Sequence, residues 1–196
     1  MAVHADLTIM ETAVLAEVPK SAVEKAVENK VFRPVSRAAR IKGSGTKYVP
    51  LRAVAYFASL RSAELSYLPI KVKKIIWASL MRQQALVLAP VEFAPGASLD
   101  VERLAANHME TAERYKAARD AYIVTDENIL GGTPVLRGTR ISVYSVLGRL
   151  QHGDTLDELV RDNPDIPREA FEAAEIFARA HPMRGRPSGR PWHNAA

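Results

Sequence analysis

Three groups of residues have types and spacing that invite chemistry. The first is the segment 126–143, Asp-Glu-Asn-Ile-Leu-Gly-Gly-Thr-Pro-Val-Leu-Arg-Gly-Thr-Arg-Ile-Ser-Val. Glycines allow sharp turns and positive φ, and a glycine loop of the right spacing cradles phosphate. A P-loop needs four residues between its glycines, then Lys and Ser/Thr. Here Gly132 and Gly138 enclose five residues and Thr139-Arg140 follows, so phosphate-loop chemistry is set aside. Gly138-Thr139-Arg140 is expected mainly to turn the chain into a helix, with Arg137 and Arg140 holding acidic neighbours or a partner. The second group is the stretch 183–196, where Arg184, Arg186 and Arg190 are spaced by Gly and Pro and Trp192 stands beside His193. Arginines on extended backbone can pair bidentately with carboxylates, and tryptophan anchors interfaces. The third group is basic and N-terminal: Lys20, Ser21 and Lys25, then Arg33, Arg37, Arg40, Lys42, Lys47 and Arg52. Such a set suits a phosphate backbone.

Catalysis finds little footing. Histidines 4, 108, 152, 181 and 193 lie in different segments and none has ligand spacing. With no cysteine there is no disulfide, thiolate metal site or cysteine nucleophile. No catalytic residue, metal site or cofactor is therefore expected, and the protein is read as a non-enzyme.

Charge divides the 196 residues into three. Residues 1–82 carry 14 Lys+Arg against 6 Asp+Glu, net +8. Residues 83–182 carry 10 against 16, net −6, and residues 183–196 carry 3 Arg and no acid. A basic lobe favours nucleic acid, an acidic lobe favours solubility or a basic partner. No apolar run reaches the roughly 20 residues that span a bilayer, and residues 1–7 lack a signal-peptide core. A cytoplasmic setting is expected.

These groups need elements to position them. Thr8 can cap a helix over 9–17, Val18-Pro19 breaks it, and a second helix over 20–29 has an apolar stripe of Val23, Ala26 and Val27. Two β-prone runs around Gly43-Ser44-Gly45 predict a hairpin, followed by helices over 51–62 and 69–83. A strand over 86–93 ends at Pro95-Gly96, and Ser98 is expected to cap a long helix over 99–120. Tyr122-Ile123-Val124 is strand-like, and three short helices are predicted over 142–151, 155–161 and 167–180. Thr155 and Glu158 have capping-box spacing. Phe57, Trp77, Phe171 and Phe177 are expected in the core. The fold class is mainly α with small β. A winged helix-turn-helix domain occupies 1–82, a strand and long connector or dimerisation helix 83–121, a compact three-helix domain 122–182, and an extended tail 183–196.

Two resemblances sharpen this. Residues 7–62, with the link Asn29-Lys30-Val31-Phe32-Arg33-Pro34 between second helix and wing, resemble the MerR-like group of DNA-binding domains. The resemblance implies Lys20, Ser21 and Lys25 near the major groove, and Arg33, Arg37, Arg40, Lys42, Lys47 and Arg52 on phosphate. Residues 122–181 are similar to a small bacterial domain family of unknown function. Its pattern Gly-Gly-x-Pro-x-x-x-Gly-Thr-Arg reads Gly131-Gly132-Thr133-Pro134 to Gly138-Thr139-Arg140 here, and the match continues through His152-Gly153-Asp154-Thr155, Leu159, Asn163-Pro164-Asp165-Ile166, Ala173, Ala174 and Phe177.

That family is associated with VapB-like antitoxins, which pair with PIN-type ribonuclease toxins. The resemblance implies an antitoxin that binds operator DNA through residues 1–82 and a PIN-type toxin through 122–196. Arg184, Arg186, Arg190 and Trp192 would lie near the toxin's carboxylate-held metal. Fully extended, the tail spans roughly 45–50 Å. Operator symmetry implies a homodimer within the toxin–antitoxin complex, with half-sites about 34 Å apart. The alternative is a stand-alone winged-helix regulator whose C-terminal domain dimerises or senses a ligand.

Overall fold

A computed structural model describes residues 5–37, 46–83 and 88–183. The fold begins with strand β1 (Ala5–Thr8), whose last residue also caps helix α1 (Ile9–Leu15). Thr8 Oγ1 accepts from the Glu11 N–H (3.1 Å), and Glu11 Oε2 accepts from the Thr8 N–H (2.6 Å). This is a capping box, two orphan donors satisfied reciprocally. Pro19 opens helix α2 (Lys20–Glu28), which buries Val23 and Ala26 as the apolar stripe predicts. Strands β2 (Val35–Arg37) and β3 (Thr46–Pro50) pair antiparallel, Val35 opposite Tyr48 and Ser36 opposite Lys47. β1 adds to the other edge of β3, giving the order β1-β3-β2. Helices α3 (Arg52–Ser62) and α4 (Ile70–Arg82) follow. Helix, helix, strand pair, helix is the expected winged-helix order; β1 is an addition, because four residues are too few to show alternation.

The C-terminal ends of α1, α2 and α3 are built without glycine. Glu17, Lys30 and Glu64 have φ of 51°, 55° and 56°, each one residue beyond a helix C-cap. Val18, Val31 and Leu65 donate their N–H groups to Ala13, Ala26 and Leu60 carbonyls at 2.9, 2.9 and 2.8 Å. That six-to-one bond defines the Schellman motif, whose αL position glycine normally fills. Val31 is buried and Val18 and Leu65 pack against the core, so apolar contact offsets the left-handed strain.

Strands β4 (Val91–Ala94) and β5 (Ala97–Leu99) form a hairpin around Pro95-Gly96. The predicted strand over 86–93 is thus shifted, with residues 84–87 outside the described ones. Ser98 does not cap the long helix. It lies in β5, because the turn folds 97–99 back onto 91–94, and Asp100 caps α5 (Val101–Tyr122) by accepting from the Arg103 N–H at 3.1 Å. α5 packs against α3 and α8, using its stripe of Val101, Ala105, Ala112, Tyr115 and Ala118 within the chain. The C-terminal part pairs β6 (Ile123–Val124) with β7 (Val135–Leu136) and continues into α6 (Val143–Gln151), α7 (Leu156–Asp162) and α8 (Arg168–Ala180). Ser142 and Thr155 cap α6 and α7, the latter with the predicted Glu158 box. Phe57, Trp77, Phe171 and Phe177 are buried, and one continuous core runs from Leu7 to Ala178. Among the described residues no helix is long and apolar enough to cross a membrane.

α1, α5 and the end of α8 meet at a buried charge. Glu11 Oε1 accepts from Tyr115 Oη (2.6 Å) and from Arg119 Nη1 (3.0 Å), and the His181 Nε2 stands 3.5 Å away. Glu11 and Arg119 are each 1% exposed. Burial pushes the Glu11 carboxyl up, but the His181 ring, the Arg119 guanidinium and the Thr8 N–H together hold it well below the usual range. Burial and the same carboxylate push the Tyr115 hydroxyl well up, so it stays a donor.

Because the folded pKa of Glu11 is depressed, its contribution to stability is complete above the ordinary value of 4.5. It drains away as pH falls below that value. Glu11→Gln should cost about 2–3 kcal/mol, since Arg119 loses its buried counter-charge and keeps the half-exposed Asp120 carboxylate, 3.0 Å away. Urea unfolding followed by circular dichroism at pH 7 and pH 3.5 should show the wild type losing stability at the lower pH and the variant losing less. Glu64→Gly should raise stability by up to about 1 kcal/mol in the same assay, by removing left-handed strain from a non-glycine residue.

Candidate functional site

The N-terminal cations separate into exposed and committed ones. Ser21 and Lys25 are exposed and lie one turn apart on α2. Lys20 is exposed too, with its ammonium 2.8 Å from Glu24, a surface pair that contact with phosphate can exchange. Arg33 is exposed in the link after α2, and Lys47 is exposed on β3. Lys25, Arg33 and Lys47 have no hydrogen-bond or ion-pair partner among the described residues. The backbone of Arg37 lies in β2 opposite Thr46. Arg40 and Lys42 fall outside the described residues, as do Arg184, Arg186, Arg190 and Trp192.

Arg52 departs from the phosphate-contact expectation. Its guanidinium donates to the Leu80 carbonyl (2.8 Å) and to the Gln83 carbonyl, tying the first turn of α3 to the end of α4. The orphan carbonyls at a helix C-terminus attract such a cation. Sequence reasoning passed over Lys71 and Lys74, both exposed on α4. Their i,i+3 spacing on the polar side of that helix was the available signal.

The glycine loop is explained by its own backbone. Asp126 Oδ1 accepts from the Asn128 N–H (2.9 Å), and Leu130, Gly131 and Gly132 carry φ of 48°, 62° and 82° around a single 3-10 turn. The Thr133 hydroxyl donates to the Leu130 carbonyl at 2.8 Å. Gly138, at φ 76°, lets the Leu136 N–H donate to the Ile141 carbonyl at 2.9 Å. Thr139 Oγ1 donates to the Leu136 carbonyl (2.9 Å) and accepts from the Ile141 N–H (3.0 Å). The Arg137 Nε donates to the Ala121 carbonyl (2.6 Å), and its backbone N–H to the Tyr122 carbonyl (2.7 Å). The loop thus closes on the C-terminus of α5. Arg140, exposed and without a partner among the described residues, is the arginine this turn presents outward.

The molecule is a mainly α-helical protein with small sheets, its N-terminal part in winged-helix order and its C-terminal part a strand pair followed by three helices. Residues 123–178, from the first residue of β6 into α8, match the protein family of unknown function DUF433. The chain is 31% identical over 122 residues to an uncharacterized protein, y4eO, of Sinorhizobium fredii (strain NBRC 101917 / NGR234), across 59% of this chain. It spans about half, 50%, of that relative's length. No solved structure matches the chain.

Substituting the loop should separate its two arginines. Gly138→Ala places a Cβ in open space but at positive φ, at a cost of roughly 1–2 kcal/mol. Arg137→Ala should cost about 1 kcal/mol by uncapping α5. Arg140→Ala should change stability by less than about 0.5 kcal/mol. Thermal unfolding of the three variants checks this ranking.

Proposed function

We propose that the protein is an antitoxin-type regulator without catalytic activity of its own. It binds operator DNA through α2 and the β2–β3 hairpin, and restrains a PIN-type ribonuclease through residues 122–196. The observation that carries the DNA half is the exposure of Lys25, Arg33 and Lys47 with no partner among the described residues, on the three consecutive parts of a winged-helix order. Cations left unanswered by the fold lose no internal pairing when they meet phosphate, and each contact releases counterions. Ser21 and Lys25 would face the major groove, and Arg33 and Lys47 the backbone.

The toxin half is supported by the match of 123–178 to the DUF433 family and by the antitoxin association that the sequence resemblance implies. Met183, the residue before Arg184, is 64% exposed. Arg184, Arg186 and Arg190 would pair with carboxylates of the nuclease site, with Trp192 as an apolar anchor. Operator symmetry favours a homodimer within the toxin–antitoxin complex, acting in the cytoplasm.

Co-purification with the product of the adjacent gene tests the pairing directly; recovery of the chain without that product would overturn it. Removing 183–196 should relieve ribonuclease inhibition while operator binding persists. Replacing Lys25, Arg33 and Lys47 together with alanine should weaken operator binding and flatten its salt slope by about 2, near 0.9 for each phosphate that Arg33 and Lys47 no longer neutralise. An unchanged slope would remove these residues from the interface.

A further inference from the structure

A groove of about 490 Å³ lies between α2 on one side and α3 and α4 on the other. Its volume is in the range of small-molecule sites, roughly 300–1,000 Å³. Its walls are largely apolar, with Val18, Ala22, Ala26, Val31, Phe57 and Leu60 among them. Beneath it four rings interlock: Phe32 is 5.0 Å from Trp77, and Tyr56 is 5.0 Å from Phe57 and 5.6 Å from Trp77.

Two features point to a ligand. Tyr56 forms part of the wall and is 1% exposed, yet its hydroxyl has no hydrogen-bond partner among the described residues. A buried hydroxyl left unpaired costs about 1–3 kcal/mol, and a ligand atom would recover it. Charge is the second feature. Lys25, Arg61 and Lys73 line the groove, and among the described residues no carboxylate does. Arg61 is answered by Glu17 at 2.5 Å. Lys73 donates only to the neutral Ser66 carbonyl (2.6 Å), and Lys25 has no partner among the described residues, so their two charges remain uncompensated. The same charges repel the chain's own tail, which has 3 Arg and no acid over 183–196.

We propose that this groove binds a compact aromatic carboxylate. Its ring lies on the apolar walls, Lys25 and Lys73 take the carboxylate, and the Tyr56 hydroxyl meets a polar substituent on the ring. Ser21 and Lys25 border the groove, so a bound carboxylate would compete with operator DNA; that consequence alone rests on the DNA-binding reading, whereas the site itself does not.

The test is calorimetric titration of the full chain, without DNA, with 2-naphthoate, 6-hydroxy-2-naphthoate and the neutral 2-naphthamide. The acids should bind at one site, at least about tenfold more tightly than the amide, as one charge-assisted bond supplies. The double variant Lys25→Gln/Lys73→Gln should lose that margin for the acids and leave the amide unchanged. The hydroxy-acid should bind more tightly than the plain acid, and Tyr56→Phe should erase that preference while raising the unfolding temperature. No binding of either acid, equal affinity for acid and amide, or an unchanged margin in the lysine variant would each overturn the proposal. Since DNA is absent, these outcomes are independent of any failure in operator binding.

Discussion

Glu11 sits in the first turn of the first helix with its carboxylate taken out of water, and its charge has to be answered from within the protein. The answer comes from Tyr115 and Arg119 on α5 and from His181 just beyond α8. A buried pair of this kind adds little over apolar packing, yet removing one partner is severe. It therefore acts as a register. α1 fits only where α5 presents Arg119, and α8 must end where His181 reaches the same oxygen. The capping box draws on the other oxygen of that carboxylate, so start of fold, centre and end are set by one side chain.

Around this point α5 serves as a spine. It meets α3 on one side and α8 on the other, so the basic N-terminal unit and the acidic helical unit share a core although their surfaces are opposite in sign. The committed cations, Arg52, Arg119 and Arg137, hold helix ends or a buried acid. The uncommitted ones, Lys25, Arg33, Lys47 and Arg140, face water. Sorting basic residues by whether the fold already uses them separates architecture from recognition better than net charge does.

Much of this was legible in the sequence. Thr8 and Thr155 announced their helices because a cap is a local chemical requirement, and the stripe of α2 followed from 3.6-residue spacing. The glycine loop revealed its turns because positive φ selects glycine. Other features were hidden for physical reasons. β1 depends on pairing with β3 some forty positions away, which leaves no trace in four residues. The Schellman ends at Glu17, Lys30 and Glu64 lack their usual residue, so tertiary packing decided them. Ser98 is a good cap in isolation and lost to a hairpin. Arg52 looked like a phosphate ligand because a sequence does not reveal which carbonyls lie within reach, and for the same reason nothing in the sequence marks Glu11 as a buried acid.

The distance along the chain between Glu11 and its partners has a consequence during synthesis. Arg119 follows Glu11 by 108 residues, and His181 comes later still. While the ribosome is still making α5, the first helix has its capping box but no buried counter-charge. It must keep that carboxylate hydrated or remain loosely docked. The N-terminal unit therefore reaches its final packing only after nearly all of the described chain has emerged, and a nascent chain stalled before α5 would hold that unit unfinished. Recognition by a truncated translation product is thereby disfavoured, so that whatever the N-terminal unit binds is engaged by chains that already carry their C-terminal helices.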